Sequence, residues 1–269
     1  MKIAQKIIKF FAIVLAISII ASIFSSCVFL FNEIGNAFKT NDNNEVKTET
    51  NSEITNIINE INNISIDLKN TKLNIKSGDK FSINTNNKYL NINENNNKLV
   101  VKDKSKISVS NKQYYLELIV PTTLDNINLN GGAGSIYIEN INLNTLEFSL
   151  GAGKVDINNL TVLNNAKIDG GAGKITINNS TINNLNFDIG VGKTTINSIL
   201  LGNSDIDAGV GKLELNLNSS SSEYTFDIDK GIGSIKLNNK SISDGQTGTG
   251  NNKIEIDGGI GSIDITTID

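Results

Sequence analysis

One short element, Gly-x-Gly, returns at Gly132, Gly151, Gly171, Gly190, Gly209, Gly231 and Gly259, at successive steps of 19, 20, 19, 19, 22 and 28 residues. A period near twenty restricts the fold severely. Ordering one unit costs about 1–2 kcal/mol per residue. A unit of that length buries only a handful of side chains, at roughly 1.5–3 kcal/mol each. A lone unit therefore does not fold, whereas a stack of units sharing its interfaces does. The last two steps, longer than the rest, read as loop insertions around Ser219 to Ser222 and Ser241 to Asn252.

Each unit alternates apolar and polar residues on both sides of the glycines. Leu146, Phe148 and Leu150 precede one bend, and Val155 and Ile157 follow it; Leu185, Phe187 and Ile189 precede another. Period-two alternation marks a strand with one buried face. Asn158-Asn159, Asn164-Asn165, Asn178-Asn179 and Asn183-Asn184 supply the other corners, since Asn tolerates positive φ. The pattern predicts an all-β fold: a parallel β-solenoid with about 19–20 residues per coil, two short strands in each. An antiparallel sandwich is the rival, but it gives no reason for a bend every nineteen residues.

The paired glycines are read as structural bends: Gly132 and Gly134, Gly151 and Gly153, Gly171 and Gly173, Gly190 and Gly192, Gly209 and Gly211, Gly231 and Gly233, Gly259 and Gly261. Between them stands an apolar residue, Ala133, Ala152, Ala172, Val191, Val210, Ile232 or Ile260. These are expected to point inward as a column that grows along the stack.

The solenoid is expected to be preceded by one N-terminal transmembrane helix. Lys2, Lys6 and Lys9 precede an uncharged apolar run from Phe10 to Phe31, and Glu33 is the first charge beyond it. Such a run is long enough to cross a hydrocarbon core of about 30 Å, and the lysines place the N-terminus in the cytoplasm. Two alternatives stay open: lipidation at Cys27, because Ile23-Phe24-Ser25-Ser26-Cys27 loosely resembles a lipobox, and simple secretion. The expected organisation is a cytoplasmic tail and anchor over 1–38, and a linker over 39–60. The β-solenoid domain then covers 61–269, irregular over 61–125 and regular over 126–269. Ile54, Ile57, Ile58 and Ile61 fit either a short helix or a strand lead-in. The expected location is the cell membrane, single-pass, with the solenoid outside.

Composition narrows the chemistry. There is no Arg and no His, and the net charge is -4. A dense basic face for nucleic acid is absent, as are the usual phosphate fork and the usual acid–base of neutral pH. One Cys excludes an internal disulfide framework. Gly190-Val191-Gly192-Lys193-Thr194 imitates the end of a P-loop, but Phe187 stands where the first glycine belongs and a strand follows. No catalytic residues, metal ligands or cofactor are expected.

Two charged columns remain. Lys154, Lys174, Lys193 and Lys212 each follow a bend and would align. They are either a solvated face or a cationic stripe for an anionic polymer. Asp169, Asp188, Asp207, Asp229 and Asp257 each lie two residues before a bend glycine. Each is expected to accept the N–H two residues on, with a solvated ladder or a weak cation site as alternatives.

From Ile64-Ser65-Ile66-Asp67 onward, through Lys72-Leu73-Asn74-Ile75, Lys98-Leu99-Val100-Val101 and Leu116-Glu117-Leu118-Ile119-Val120-Pro121, the chain leads into the first Gly-x-Gly coil. That order resembles the bacterial putative-adhesin family of β-strand-repeat proteins, a domain of unknown function. The resemblance implies a non-enzymatic β-solenoid at the cell envelope; taken with the lysine column, the expected role is adhesion or binding of an anionic envelope polymer. The alternative is a regulatory protein that senses envelope stress through a membrane partner.

Overall fold

The computed structural model describes residues 52–54, 61–105 and 113–268, all within one compact unit, Thr48–Asp269. The apolar run 10–31, Cys27 and the expected linker residues 39–51 and 55–60 lie outside the described residues. Among the described residues, no helix is long and apolar enough to cross a membrane.

The fold is all-β. Its strands are β1 (Ser52–Ile54), β2 (Asn63–Leu68), β3 (Thr71–Ser77), β4 (Ser82–Thr85), β5 (Leu90–Asn95), β6 (Lys98–Asp103) and β7 (Tyr114–Val120). Next come the long β8 (Thr123–Asn183), β9 (Leu185–Leu201), β10 (Asn203–Ser220), β11 (Tyr224–Asp229) and β12 (Ile232–Leu237). The chain closes with β13 (Lys240–Ser241), β14 (Gly245–Gly248) and β15 (Asn252–Ile268). They form one open, mixed sheet, parallel through its centre. Register follows the repeat: Ile168 pairs with Phe187 and Phe187 with Ile206, each nineteen residues on.

Coils in the middle of the stack have three inward-facing arms, one more than the alternation suggested. In one coil Leu146, Phe148 and Leu150 fill the first arm, Val155 and Ile157 the second, Leu160 and Val162 the third, all buried. The third arm is short and begins at an Asn corner, so its period-two signal is only two residues long. Asn140, Asn159 and Asn179 turn this corner at φ 58, 54 and 51, a left-handed conformation that Asn tolerates better than most residues. The next coil lacks the extra residue, and register shifts between Asn178 and Ser180. There the Ser198 hydroxyl accepts from the Ser180 N–H at 3.3 Å, so the buried amide keeps a partner.

Stacking order departs from chain order at both ends. β15 lies between β10 and the pair β11–β12: Val210 pairs with Ile260, and Ile260 with Ile232. The 28-residue step is thus not a simple loop. It holds β13 and β14, which pair antiparallel with β12 and β11 on the outer side. The N-terminal end mirrors this. β2 lies between β6 and β8, and β3 between β7 and β8, while β5 and β4 pair antiparallel outside β6 and β7. Antiparallel hairpins cover much of both outer coils, which limits the open strand edge. Ser52–Ile54 forms β1, paired with β4; Ile57 and Ile58, on which the expected helix or strand lead-in also rests, lie outside the described residues.

A buried polar cluster ties down the N-terminal end. The Asp103 carboxylate accepts from the Lys69 N–H at 3.3 Å and the Thr71 hydroxyl at 3.1 Å, and from Ser105 N–H at 2.9 Å. Burial pushes its carboxyl up, but the hydrogen bonds from Ser105, Lys69 and Thr71 together hold it below the ordinary range.

Candidate binding surface along the Gly-x-Gly corner

The corner is built by close approach of backbones. A Cβ on Gly151, Gly171, Gly190 or Gly209 would overlap a carbonyl oxygen of the coil stacked against it. The second glycine carries a different restriction: Gly153 and Gly192 sit at φ 143 and 138, where a side chain is strained. The outermost coil departs from this, with the positive φ on Gly231, at 61.

The apolar residue between the glycines does not enter the core. Ala152, Ala172, Val191, Val210 and Ile260 are half-exposed, and Ile232 is 72% exposed. The inward column expected from the sequence is thus an outward one. The interior alternation stops at Leu150, Ile189 or Ala208 and resumes at Val155, Thr194 or Leu213. The bend residues between are turned out of register with it. The column does grow along the stack, from Ala172 through Val191 and Val210 to Ile260 and Ile232.

The lysines align as the spacing predicted: Lys174 pairs in register with Lys193, and Lys193 with Lys212. The column is interrupted by carboxylates. Lys154 Nζ lies 2.6 Å from Asp156, and Lys193 and Lys212 reach the two oxygens of Glu214 at 2.7 and 2.9 Å. Lys212 also lies 3.1 Å from Asp264. Hydrogen bonds from Lys193 and Lys212 bring the Glu214 carboxyl down to about 2. Among the described residues Lys174 has no ion-pair partner.

The aspartates also stack, in the order Asp169, Asp188, Asp207, Asp257, Asp229. The expected bond to the N–H two residues on is made by Asp229, which accepts from Gly231 at 3.1 Å. Asp169 instead accepts from the Ser149 hydroxyl at 3.1 Å. Burial, then the hydrogen bond and charge of Asp188, then the charges of Asp205 and Asp257, hold the Asp207 carboxyl above its ordinary range. Asp205 is raised likewise by burial, Glu255, Asp257 and Asp188, with Lys253 opposing. Among the described residues, no group of three or more His, Cys, Asp or Glu side chains is placed to hold a metal ion.

A third column was not expected. Asn178 donates to Asn158 at 3.1 Å, Asn197 to Asn178 at 2.7 Å and Asn216 to Asn197 at 2.5 Å; Thr266 donates to Asn216 at 2.6 Å. Asn178 and Asn197 each both donate and accept along the ladder, and Asn216 donates to Asn197 while accepting from Thr266. Its signal is Asn at one fixed phase of the repeat, hidden by the abundance of Asn everywhere.

Residues 174–238, from the Lys column through the outer coil, match the family described as the N-terminal domain of toast_rack, DUF2154. No curated protein matches the chain. Solved structures similar to it include a putative adhesin from Bacteroides fragilis NCTC 9343, at 16% identity, covering 82% of this chain and 98% of that one with a TM-score of 0.44. Others are a putative cell adhesion protein from Clostridium sporogenes ATCC 15579, at 18% identity, 81% and 100% coverage and a TM-score of 0.35, and a putative lipid binding protein from Parabacteroides distasonis ATCC 8503, at 15% identity, 82% and 96% coverage and a TM-score of 0.36. The match over residues 174–238 is to a domain of unknown function, in line with the resemblance read from the sequence.

Proposed function

We propose that this chain is a non-enzymatic cell-envelope protein. In this reading it is a parallel β-solenoid of about 19–20 residues per coil, held outside the cell membrane by one N-terminal helix. It offers its surface for adhesion or to an envelope polymer. One observation carries the reading: the charged and amide side chains recur as in-register ladders, Lys174–Lys193–Lys212 and Asn158–Asn178–Asn197–Asn216, rather than as one off-pattern cluster. Ladders of this kind present the same group at about 4.8 Å intervals. That suits an extended, repeating partner better than a single small substrate. Glu214 tempers the cationic stripe by engaging two of its four lysines.

The test is binding of the full chain to an anionic wall polymer at low salt. Replacing Lys154, Lys174, Lys193 and Lys212 by Gln should abolish binding, and Glu214→Gln should strengthen it. Unaltered binding in the fourfold variant would remove the polymer reading. Protease added to intact protoplasts should digest the chain beyond about Thr40 and leave the anchor; protection of the repeats would remove the exported topology.

A further inference from the structure

We propose that the Gly-x-Gly corner is a self-association surface, on which a second copy of this chain packs side by side with the same polarity. The apolar ridge Val191, Val210, Ile260 and Ile232 runs along this corner outside the core, and Ile232 at its end is 72% exposed. Aliphatic side chains aligned at neighbouring levels form one contiguous apolar strip, which marks an interaction site rather than scattered surface residues.

The flanks of the ridge identify the occupant. In three successive coils an Asp stands three residues before the ridge residue and a Lys two residues after it: Asp169 and Lys174, Asp188 and Lys193, Asp207 and Lys212. A two-fold axis parallel to the stacking direction sets every ridge residue against its own copy and exchanges the flanks. The Lys side of one chain then faces the Asp side of the other, level by level. An axis across the stack would place Asp against Asp and Lys against Lys. The surface is self-complementary only in the first arrangement, as an isologous contact requires.

Electrostatics point the same way. Asp188 and Asp207 lie side by side on one chain, where Asp188 raises the cost of ionising Asp207, and Lys174 lacks an ion-pair partner among the described residues. Lys193 and Lys212 are held by Glu214 on their own chain, yet an ammonium has three donors. A second copy supplies the missing counter-charges to both ladders.

Site-directed crosslinking of the full chain tests this. Cys27, the single cysteine, is replaced by Ser, and Val191→Cys and Val210→Cys are made separately. Each should give an oxidised dimer, because the two-fold axis brings each residue to its own copy. Mixing the two variants should give far fewer heterologous than homologous crosslinks: a disulfide spans Cα atoms about 5.5–6 Å apart and fails beyond about 7 Å, and a one-coil offset of about 4.8 Å at right angles carries the pair just past that limit. Leu163→Cys, on another corner and 54% exposed, should remain monomeric. Absence of dimer in both ridge variants, equal crosslinking at Leu163→Cys, or equal crosslinking in the mixture would each overturn the proposal. Asp188→Lys with Asp207→Lys should abolish the dimer, and Lys193→Asp with Lys212→Asp added on the same chain should restore it.

Discussion

Ile260 stacks on Val210, fifty residues away in sequence and one coil away in space. The same Ile260 is covered on its other side by Ile232, which precedes it in the chain. The final coil is therefore internal to the stack. Ile254, Ile256, Ile263 and Ile265 are buried there, and both edges of β15 are paired.

Removing residues 252–269 should accordingly do more than shorten the stack. Tyr224–Asp229 and Ile232–Leu237 lose every parallel partner, and Asn203–Ser220 becomes an edge. Hydrogen exchange is expected to show loss of protection through 203–237, while 124–183 stays protected, as nearest-neighbour stacking requires. Intact protection over 224–237 would mean that the outer coil does not depend on β15. A point change makes the same case: Ile256→Ala should cost about 2–5 kcal/mol despite lying in the last coil.

The two properties of the corner glycines are separable by a pair of substitutions. Gly192 combines φ 138 with backbone of the neighbouring coil where a Cβ would stand. Gly245 has φ 119 with nothing within 4 Å of such a Cβ. Gly245→Ala should therefore cost only the backbone strain, about 1–3 kcal/mol. Gly192→Ala should cost markedly more, since two backbones must part. Chemical denaturation of the two variants would decide it, and equal losses would show that overlap is relieved without cost.

Period, strand direction and two of the three inward arms were legible in the sequence because each repeats at a fixed phase. Phe187 and Ile206 announce their own pairing. What the repeat could not carry is whatever breaks it. The exchange of coil order at Val210, Ile260 and Ile232 leaves the registers unchanged: Gly211 pairs with Gly261 and Gly261 with Gly233, so a local pattern reads identically whichever coil comes next. The outward turn of Val191 was missed for a related reason. An apolar residue between two glycines looks like a core position until the backbone shows which side it faces. Glu214 was legible only as part of an alternating polar face, and its place between two lysines needs the stack.

The amide ladder gives a prediction that composition alone would not. Asn197 donates to Asn178 and accepts from Asn216, so Asn197→Ala removes two hydrogen bonds and leaves a neighbour on each side short of a partner. At about 0.5–1.5 kcal/mol per bond the expected loss is about 1–3 kcal/mol. Asn93, which bonds Asn91 on an exposed strand, should be nearly silent when changed to Ala. Equal effects at the two sites, measured by thermal unfolding, would mean that the ladder adds nothing beyond an ordinary surface amide.

Acidification should act on the two carboxylate environments in opposite directions. Glu214 is held at about 2, against an ordinary value of 4.5, by Lys193 and Lys212. Its lowered folded value means that its stabilisation is complete above the ordinary value and is lost as pH falls toward 2. Asp207 is the reverse case. Its folded value lies above 3.8, through burial and the adjacent Asp188, so the folded chain holds the proton more tightly than the unfolded chain. The ionised group therefore weakens the fold at neutral pH, and the penalty fades as pH falls below the folded value. Glu214→Gln should lower the thermal midpoint at pH 7, by the equivalent of up to about 1 kcal/mol for so accessible a pair, and have no effect near pH 2. In the monomeric chain Asp207→Asn should raise the midpoint at pH 7 and leave it unchanged at pH 3. The same variants followed by circular dichroism across that range supply the check. A deficit in Glu214→Gln that persists at pH 2 would show that Glu214 acts through packing rather than charge. An Asp207→Asn variant less stable at pH 7 would show that the carboxylate ladder is compensated within the chain.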